Sequence, residues 1–192
     1  MAQLALAILA ALAAVLPPLA EPVRAQWKTP WGMSESERFG PFRGRFVDAE
    51  TGESLAGVVV LVVWYEAQPN PVQMTQTFFD ARETLSGPDG RFEVPALKPP
   101  ALSALMITPP HFKYFAPGFG HVAMVVSPGG RPFRAETVVQ LRRLKTREEL
   151  LNKSRSWPEI PLEKMPEFIE AVSKEREMLG LTPVPSRLRK RQ

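Results

Sequence analysis

The chain contains no cysteine. That removes disulfides, thiolate metal sites and cysteine nucleophiles from consideration, and with them a bacterial lipoprotein anchor, which needs a cysteine at its cleavage point. The absence fits a reducing compartment or an exported protein that folds without disulfides. Histidine and tyrosine are scarce: His111 and His121 are the only two histidines, Tyr65 and Tyr114 the only two tyrosines. Neither histidine has another His or an acid at metal-ligand spacing within a regular element, although both stand near Phe115–Phe119 and are candidates to meet in space. No Gly-x-Ser-x-Gly elbow surrounds Ser86 or Ser103, and no glycine-rich phosphate loop is present. Gly87-Pro88-Asp89-Gly90 lacks the alternating ligands of a calcium loop. The paired acids, Asp48 with Glu50 and Glu66 with Asp80, stand at strand ends, where acids ordinarily serve solubility. The sequence therefore assigns no catalytic, cofactor-binding or metal-ligating residue, and no cofactor.

A single-signed body is also missing. The net charge of +4 is matched by four tail cations, Arg187, Arg189, Lys190 and Arg191, so the rest of the chain is balanced. A globally basic surface for nucleic acid is not supported on that ground.

What the chain has in quantity is proline, 21 residues in 192, with 44% hydrophobic residues. So many fixed φ angles and missing N–H donors argue against a helical bundle and for short strands joined by rigid turns. Leu4–Leu19 is an apolar run broken by Pro17-Pro18, too short for a comfortable transmembrane helix and the right size for a signal-peptide core. Cleavage after Ala25 is the first expectation and after Ala20 the second; a buried helix of the mature fold is the structural alternative. Met1-Ala2-Gln3 lacks Lys and Arg, so either the export signal is minimal or the start lies upstream.

Residues 26–40 lack a clear period and read as an extended lead-in, with Trp27 and Trp31 expected to pin it by core packing. Phe42–Asp48 reads as a strand, Ala49–Ser54 as its turn, and Gly57–Tyr65, with five valines and a leucine in nine residues, as a central strand covered on both faces. Glu66–Gln76 reads as a loop because Pro69-Asn70-Pro71 is poor strand material. Thr77–Leu85 and Arg91–Val94 form strands around the Asp89-Gly90 turn. Ala101–Ile107 is open between a strand and a short helical turn. Tyr114–Phe119, Val122–Val126 and Thr137–Leu144 complete the set, with a turn at Ser127–Arg131. About seven short strands at this spacing predict a mainly β fold, a seven-stranded antiparallel sandwich.

The order GRFVDAETGESLAGVVVLV, ETLSGPDGRFEV, FAPGF and TVVQLRRL resembles the carboxypeptidase regulatory-like domains, whose sandwich is transthyretin-like (prealbumin-like). The resemblance covers residues 41–144 and rests on turns and core strands. It implies an accessory, non-catalytic module common in exported bacterial proteins. Enzymes of similar sandwich shape need more than is here: the transthyretin-like hydrolases of 5-hydroxyisourate use several histidines and a carboxy-terminal Tyr-Arg-Gly-Ser. Intradiol dioxygenases hold iron with two tyrosines and two histidines, a count this chain matches without a spacing that assembles them. A metallocarboxypeptidase zinc motif, His-x-x-Glu, is absent.

Residues 145–180 read as a helical extension. Thr146 and Glu149 form a capping box for a helix to about Ser154, and Trp157-Pro158 breaks it. From Pro161 to Leu179, Leu162, Met165, Phe168, Ile169, Val172 and Leu179 recur at helical spacing, with Pro166 at the start and Gly180 as the stop. This helix is expected to lay its apolar stripe on the sandwich. Residues 181–192 read as a basic disordered tail.

The expected function is that of a non-catalytic exported module, periplasmic or extracellular, with a binding or structural role in the cell envelope. Its partner would be an envelope protein or glycan, met through the irregular segments 66–76 and 96–113. Two alternatives stand beside this. One is a metal-dependent enzyme on a transthyretin-like fold using His111 and His121 with a tyrosine or acid. The other is a membrane-retained accessory protein whose only membrane contact is an uncleaved amino-terminal segment.

Overall fold

The computed structural model describes residues 32–69, 74–124, 137–153 and 159–184. The expected signal segment, Trp27, Trp31, the Ser127–Arg131 turn, the Trp157-Pro158 break and the cations of the tail lie outside the described residues. The described chain is mainly β. Strands β1 (Phe42–Asp48), β4 (Arg91–Val94) and β7 (Val138–Leu141) form a three-stranded sheet of order β4-β1-β7. Strands β2 (Val59–Pro69), β3 (Met74–Leu85), β5 (His111–Ala116) and β6 (Gly120–Met124) form a four-stranded sheet of order β3-β2-β5-β6. One expectation is corrected: β7 runs parallel to β1, with Arg45 beside Val138 and Asp48 beside Leu141, so the smaller sheet is mixed.

The alternation of β1 explains how the sheets meet. Phe42, Gly44 and Phe46 face inward while Arg43 and Arg45 face out. Phe42 stacks on Trp64 (6.1 Å between centroids) and meets Phe112 edge-on (5.0 Å); Phe46 lies against Phe92 (5.0 Å) and Tyr114 (5.1 Å). These aromatics and Val58, Val60, Val62, Val94, Val139 and Leu141 form one core between the two sheets. Gly44 is small because the Phe92 ring lies where a Cβ would point, at 2.9 Å. Gly90 is needed twice over: its φ is +76°, and a Cβ there would stand 2.4 Å from the Phe46 carbonyl.

β2 is apolar on both faces because it serves two cores. Val59, Leu61 and Val63 point away from the first core and, with Ala81 and Phe115, meet Ile160, Met165, Phe168, Ile169 and Val172. The last four belong to α4 (Pro166–Met178) and the residue before it. The expected docking of this helix on the sheet is observed. Its start and stop are as the sequence reads: Pro166 sits in the first turn, and Gly180 (φ +68°) closes a Schellman turn, with Leu181 N–H donating to Arg176 O (2.8 Å) and Gly180 N–H to Glu177 O (2.9 Å). The capping box at Thr146 also forms, with Glu149 N–H on Thr146 Oγ1 (3.1 Å), opening α3 (Arg147–Lys153).

Two further readings change, and one left open is resolved. Ser34–Glu37 is a capping box, Ser34 N–H donating to Glu37 Oε2 (2.7 Å) and Glu37 N–H to Ser34 Oγ (3.3 Å), and it opens a short helix, α1 (Glu35–Phe39), inside the expected extended lead-in. The described residues of the expected loop 66–76 are strand: Glu66 pairs with Thr77, Ala67 with Gln76 and Gln68 with Thr75, while Asn70 and Pro71 lie outside the described residues. Pro69 occupies the last paired position of β2, where a missing N–H costs little. Ala101–Ile107 resolves to the helical alternative, α2 (Ala101–Met106). α2 is tied down by Arg38, a buried residue whose guanidinium donates to the carbonyls of Ala104 and Ile107 and whose own carbonyl accepts from Trp64 Nε1 at 2.7 Å. Burial lowers the pKa of that guanidinium, against Glu35.

Candidate functional site

The sequence singled out two histidines and two tyrosines, and the fold sets Tyr114 apart from the other tyrosine. Tyr65 and His111 do meet, edge to face at 5.1 Å, on the face of the four-stranded sheet that carries α4. Tyr114 lies on the opposite face of β5, buried between the sheets, and burial pushes its hydroxyl pKa up. Phe115 pairs with His121, so the backbone of His121 stands four residues along β5 from His111, about 13 Å at the rise of a strand. Among the described residues no group of three or more His, Cys, Asp or Glu side chains could hold a metal. Around Tyr65 and His111 the titrations reflect burial. The His111 pKa is lowered by desolvation and by Lys113, the Lys113 pKa is lowered by desolvation against Glu159, and the Tyr65 pKa is raised by desolvation and by Glu159.

The other candidate groups are occupied in holding the fold. Asp48 accepts the N–H groups of Glu50 (2.8 Å) and Thr51 (3.4 Å) and faces Arg143 at 3.5 Å, and the turn's N–H donors hold its carboxyl below the usual range. Glu50 pairs with Lys145 at 2.9 Å. Ser86 Oγ donates to Leu55 O (2.7 Å) and accepts from Val58 N–H (2.9 Å). Asp80 pairs with Lys164 at 2.8 Å, beside a bulge at Trp64/Tyr65 that leaves Phe79 out of the pairing register. Asp89 Oδ1 accepts from Arg91 N–H (3.0 Å), as a turn residue does.

Glu83 has a distinct structural task. Met165 offers α4 no side-chain cap, and Pro166 has no N–H to satisfy. Glu83 reaches across from β3 and accepts the next two donors, Glu167 N–H (2.8 Å) and Phe168 N–H (2.9 Å). Burial pushes its carboxyl up to about 7, against those two donors. Near the other end of α4, buried Glu175 accepts Gly118 N–H at 3.0 Å, joining the helix to the β5–β6 turn.

What the sequence did not single out is the outer face of the three-stranded sheet. A half-open groove of ≈ 750 Å³ lies there, lined by Arg43, Gly44 and Arg45 of β1, Arg91, Phe92 and Glu93 of β4, Val138 of β7, and Thr84 and Leu85 of β3. The register sets Arg45 directly opposite Arg91 and Arg43 opposite Glu93. Arg43 and Glu93 pair at 2.8 Å, which raises the arginine pKa and lowers that of the acid. Leu85 and Val138 are 44% and 53% exposed at its borders. The signal was present as the alternation Phe-Arg-Gly-Arg-Phe and Arg-Phe-Glu-Val, but only the pairing of β1 with β4 gathers these charges. Of the two expected contact segments, 66–76 is paired strand in its described residues, while 96–113 carries α2, whose Leu102 is 84% exposed.

No protein-family model matches this chain, and neither a curated protein nor a solved structure matches it.

Proposed function

We propose that this protein is an exported, non-catalytic binding module of the cell envelope, periplasmic or extracellular, built on a transthyretin-like sandwich of the carboxypeptidase regulatory-like kind. The carrying observation is the unequal treatment of the two outer sheet faces. Among the described residues α4 covers one, and the other is uncovered and bears a groove of ≈ 750 Å³ edged by exposed aliphatic side chains. A concave surface combining apolar walls and a few polar groups is the usual form of a ligand site. The Tyr65–His111 contact supports the enzyme alternative weakly, because the second tyrosine lies on the opposite face of the sheet.

The test is site-directed photo-crosslinking in the native envelope fraction. A photoreactive residue at Val138 should capture a discrete partner, and one at Met178, 69% exposed on α4, should not. Equal labelling from both positions would refute the assignment of this face. Metal analysis of the purified protein tests the enzyme reading: stoichiometric iron or zinc lost in His111→Ala would replace the proposal with a metalloenzyme. Intact-mass measurement tests export with cleavage, since loss of residues 1–25 excludes membrane retention through that segment.

A further inference from the structure

We propose that the groove takes an extended, carboxylate-bearing segment of a partner protein, with an acidic side chain seated on Arg45 and Arg91; this rests on the reading of the open face as the binding surface. The carrying observation is a cross-strand pair. Arg45 and Arg91 stand directly opposite one another on adjacent antiparallel strands, so their side chains share one face, and like charges in that position destabilise a sheet. The neighbouring pair shows the balanced alternative, Arg43 against Glu93 at 2.8 Å.

Among the described residues Arg45 and Arg91 have no comparable anion between them. Arg45 donates Nε–H to the Asp89 carbonyl (3.0 Å) and an Nη–H to Ser54 Oγ (2.6 Å), both neutral acceptors. Arg91 reaches the Asp89 carboxylate only at 3.6 Å, and its side chain is 77% exposed. Among the described residues two guanidinium groups therefore share one distant acid, and their planar forks match a further carboxylate. Arg45 itself is held by its two neutral contacts, so less ordering remains for a ligand to impose.

The surroundings favour a peptide over a phosphate polymer. Glu93 would repel a phosphodiester chain, while a segment carrying few acids can seat them on the Arg45–Arg91 side. Val138 stands beside Arg45 across the parallel pairing, and Leu85 borders the same groove. An aliphatic residue two positions from the acid lies about 7 Å further along an extended chain on the same side, a spacing within reach of these walls.

The test uses the full chain and fluorescence anisotropy. The probe is a fluorescein-labelled peptide with glutamate and valine at alternate odd positions and serine between them. Binding should weaken with added salt, and the glutamine-for-glutamate version should not bind. Arg91→Gln should weaken binding about tenfold, the loss of one charge-assisted contact, with an unchanged or raised thermal midpoint. Arg45→Gln should do the same; if the loss of its Ser54 and Asp89 contacts unfolds it, Arg91→Gln carries the result. Unchanged affinity in Arg91→Gln, equal binding of the glutamine peptide, or equal binding of single-stranded oligothymidylate or inorganic phosphate at this site would overturn the proposal. Failure of the peptide alongside specific crosslinking from Val138 would remove the ligand class and leave the binding face standing; failure of both removes both.

Discussion

Glu83 is set between two opposing forces, and replacing it with glutamine separates them. Burial on the sheet disfavours the carboxylate, while two N–H groups at the start of α4 favour it. Helix N-termini stabilise anions by about 0.3–1 kcal/mol, more when partly buried. The balance leaves the carboxyl ionising near 7 in the folded protein against 4.5 in the free side chain. The folded state thus holds the proton more tightly than the unfolded one, so the contribution of this group is full below about pH 4.5 and is lost as pH rises through 7. Each pH unit between the two ionisations is worth about 1.4 kcal/mol; discounted for partial solvent access, the loss is about 1–3 kcal/mol. Glutamine keeps one acceptor and cannot ionise. Its variant should be within about 1 kcal/mol of the parent at pH 4.5, the worth of one hydrogen bond, and should gain on the parent steadily to pH 8. Urea denaturation of both proteins across that range measures the difference, and background titrations such as that of Glu175, also raised by burial, cancel in it. A pH-independent difference would show that Glu83 does not titrate as described. A parent that gains on the variant as pH rises would show that the helix terminus outweighs burial and would reverse the argument. Glu167 is a charged neighbour that opposes ionisation of this cap, so Glu167→Gln should lower the midpoint of the effect and leave its sign.

Other outcomes follow from packing. Ile169→Ala removes a fully buried side chain from the core under α4 and should cost about 2–5 kcal/mol in urea denaturation; a cost below 1 kcal/mol would mean the helix is not seated on the sheet. Gly90→Ala must place a Cβ 2.4 Å from the Phe46 carbonyl at a φ of +76° and should destabilise by about 2–4 kcal/mol, whereas alanine at Gly52, with open space around it, should cost only its backbone strain. Arg38→Met leaves the carbonyls of Ala104 and Ile107 without their donor; amide exchange across α2 should accelerate while β2 stays protected.

The parts of the fold legible in the sequence were those decided by neighbours in sequence. β1 and β4 were readable from strict alternation, and the start of α4 from Pro166 ahead of an apolar stripe; the turn at Asp89-Gly90 was also readable, but the hairpin it announced is not formed, because β4 crosses to pair with β1 in the smaller sheet while β3 pairs with β2. Local rules misled where tertiary pairing outweighed them. Pro69 read as a breaker, yet it sits at the last rung of a hairpin whose other rungs supply the pairing. Ser34 and Glu37 carry a helix-start signal, but a helix of five residues has no room for a period, and its existence depends on Arg38 and Phe39 being buried. The open groove was least legible of all, because Arg45, Arg91 and Val138 become neighbours only through an antiparallel and a parallel pairing across intervening strands. The parallel partner of β1 could not be foreseen from a run of valines, which suits either direction.

The double-sided strand β2 also fixes what can be cut away. By composition the chain changes character near residue 145, where β-rich sequence gives way to helix, and a shortened protein ending there looks like a natural unit. Such a fragment would present Val59, Leu61, Val63 and Phe115 to water as a flat apolar strip with nothing over it, the kind of surface that drives self-association. The helical end is thus a wall of the same building, and a change in sequence texture here is no seam in the folded protein.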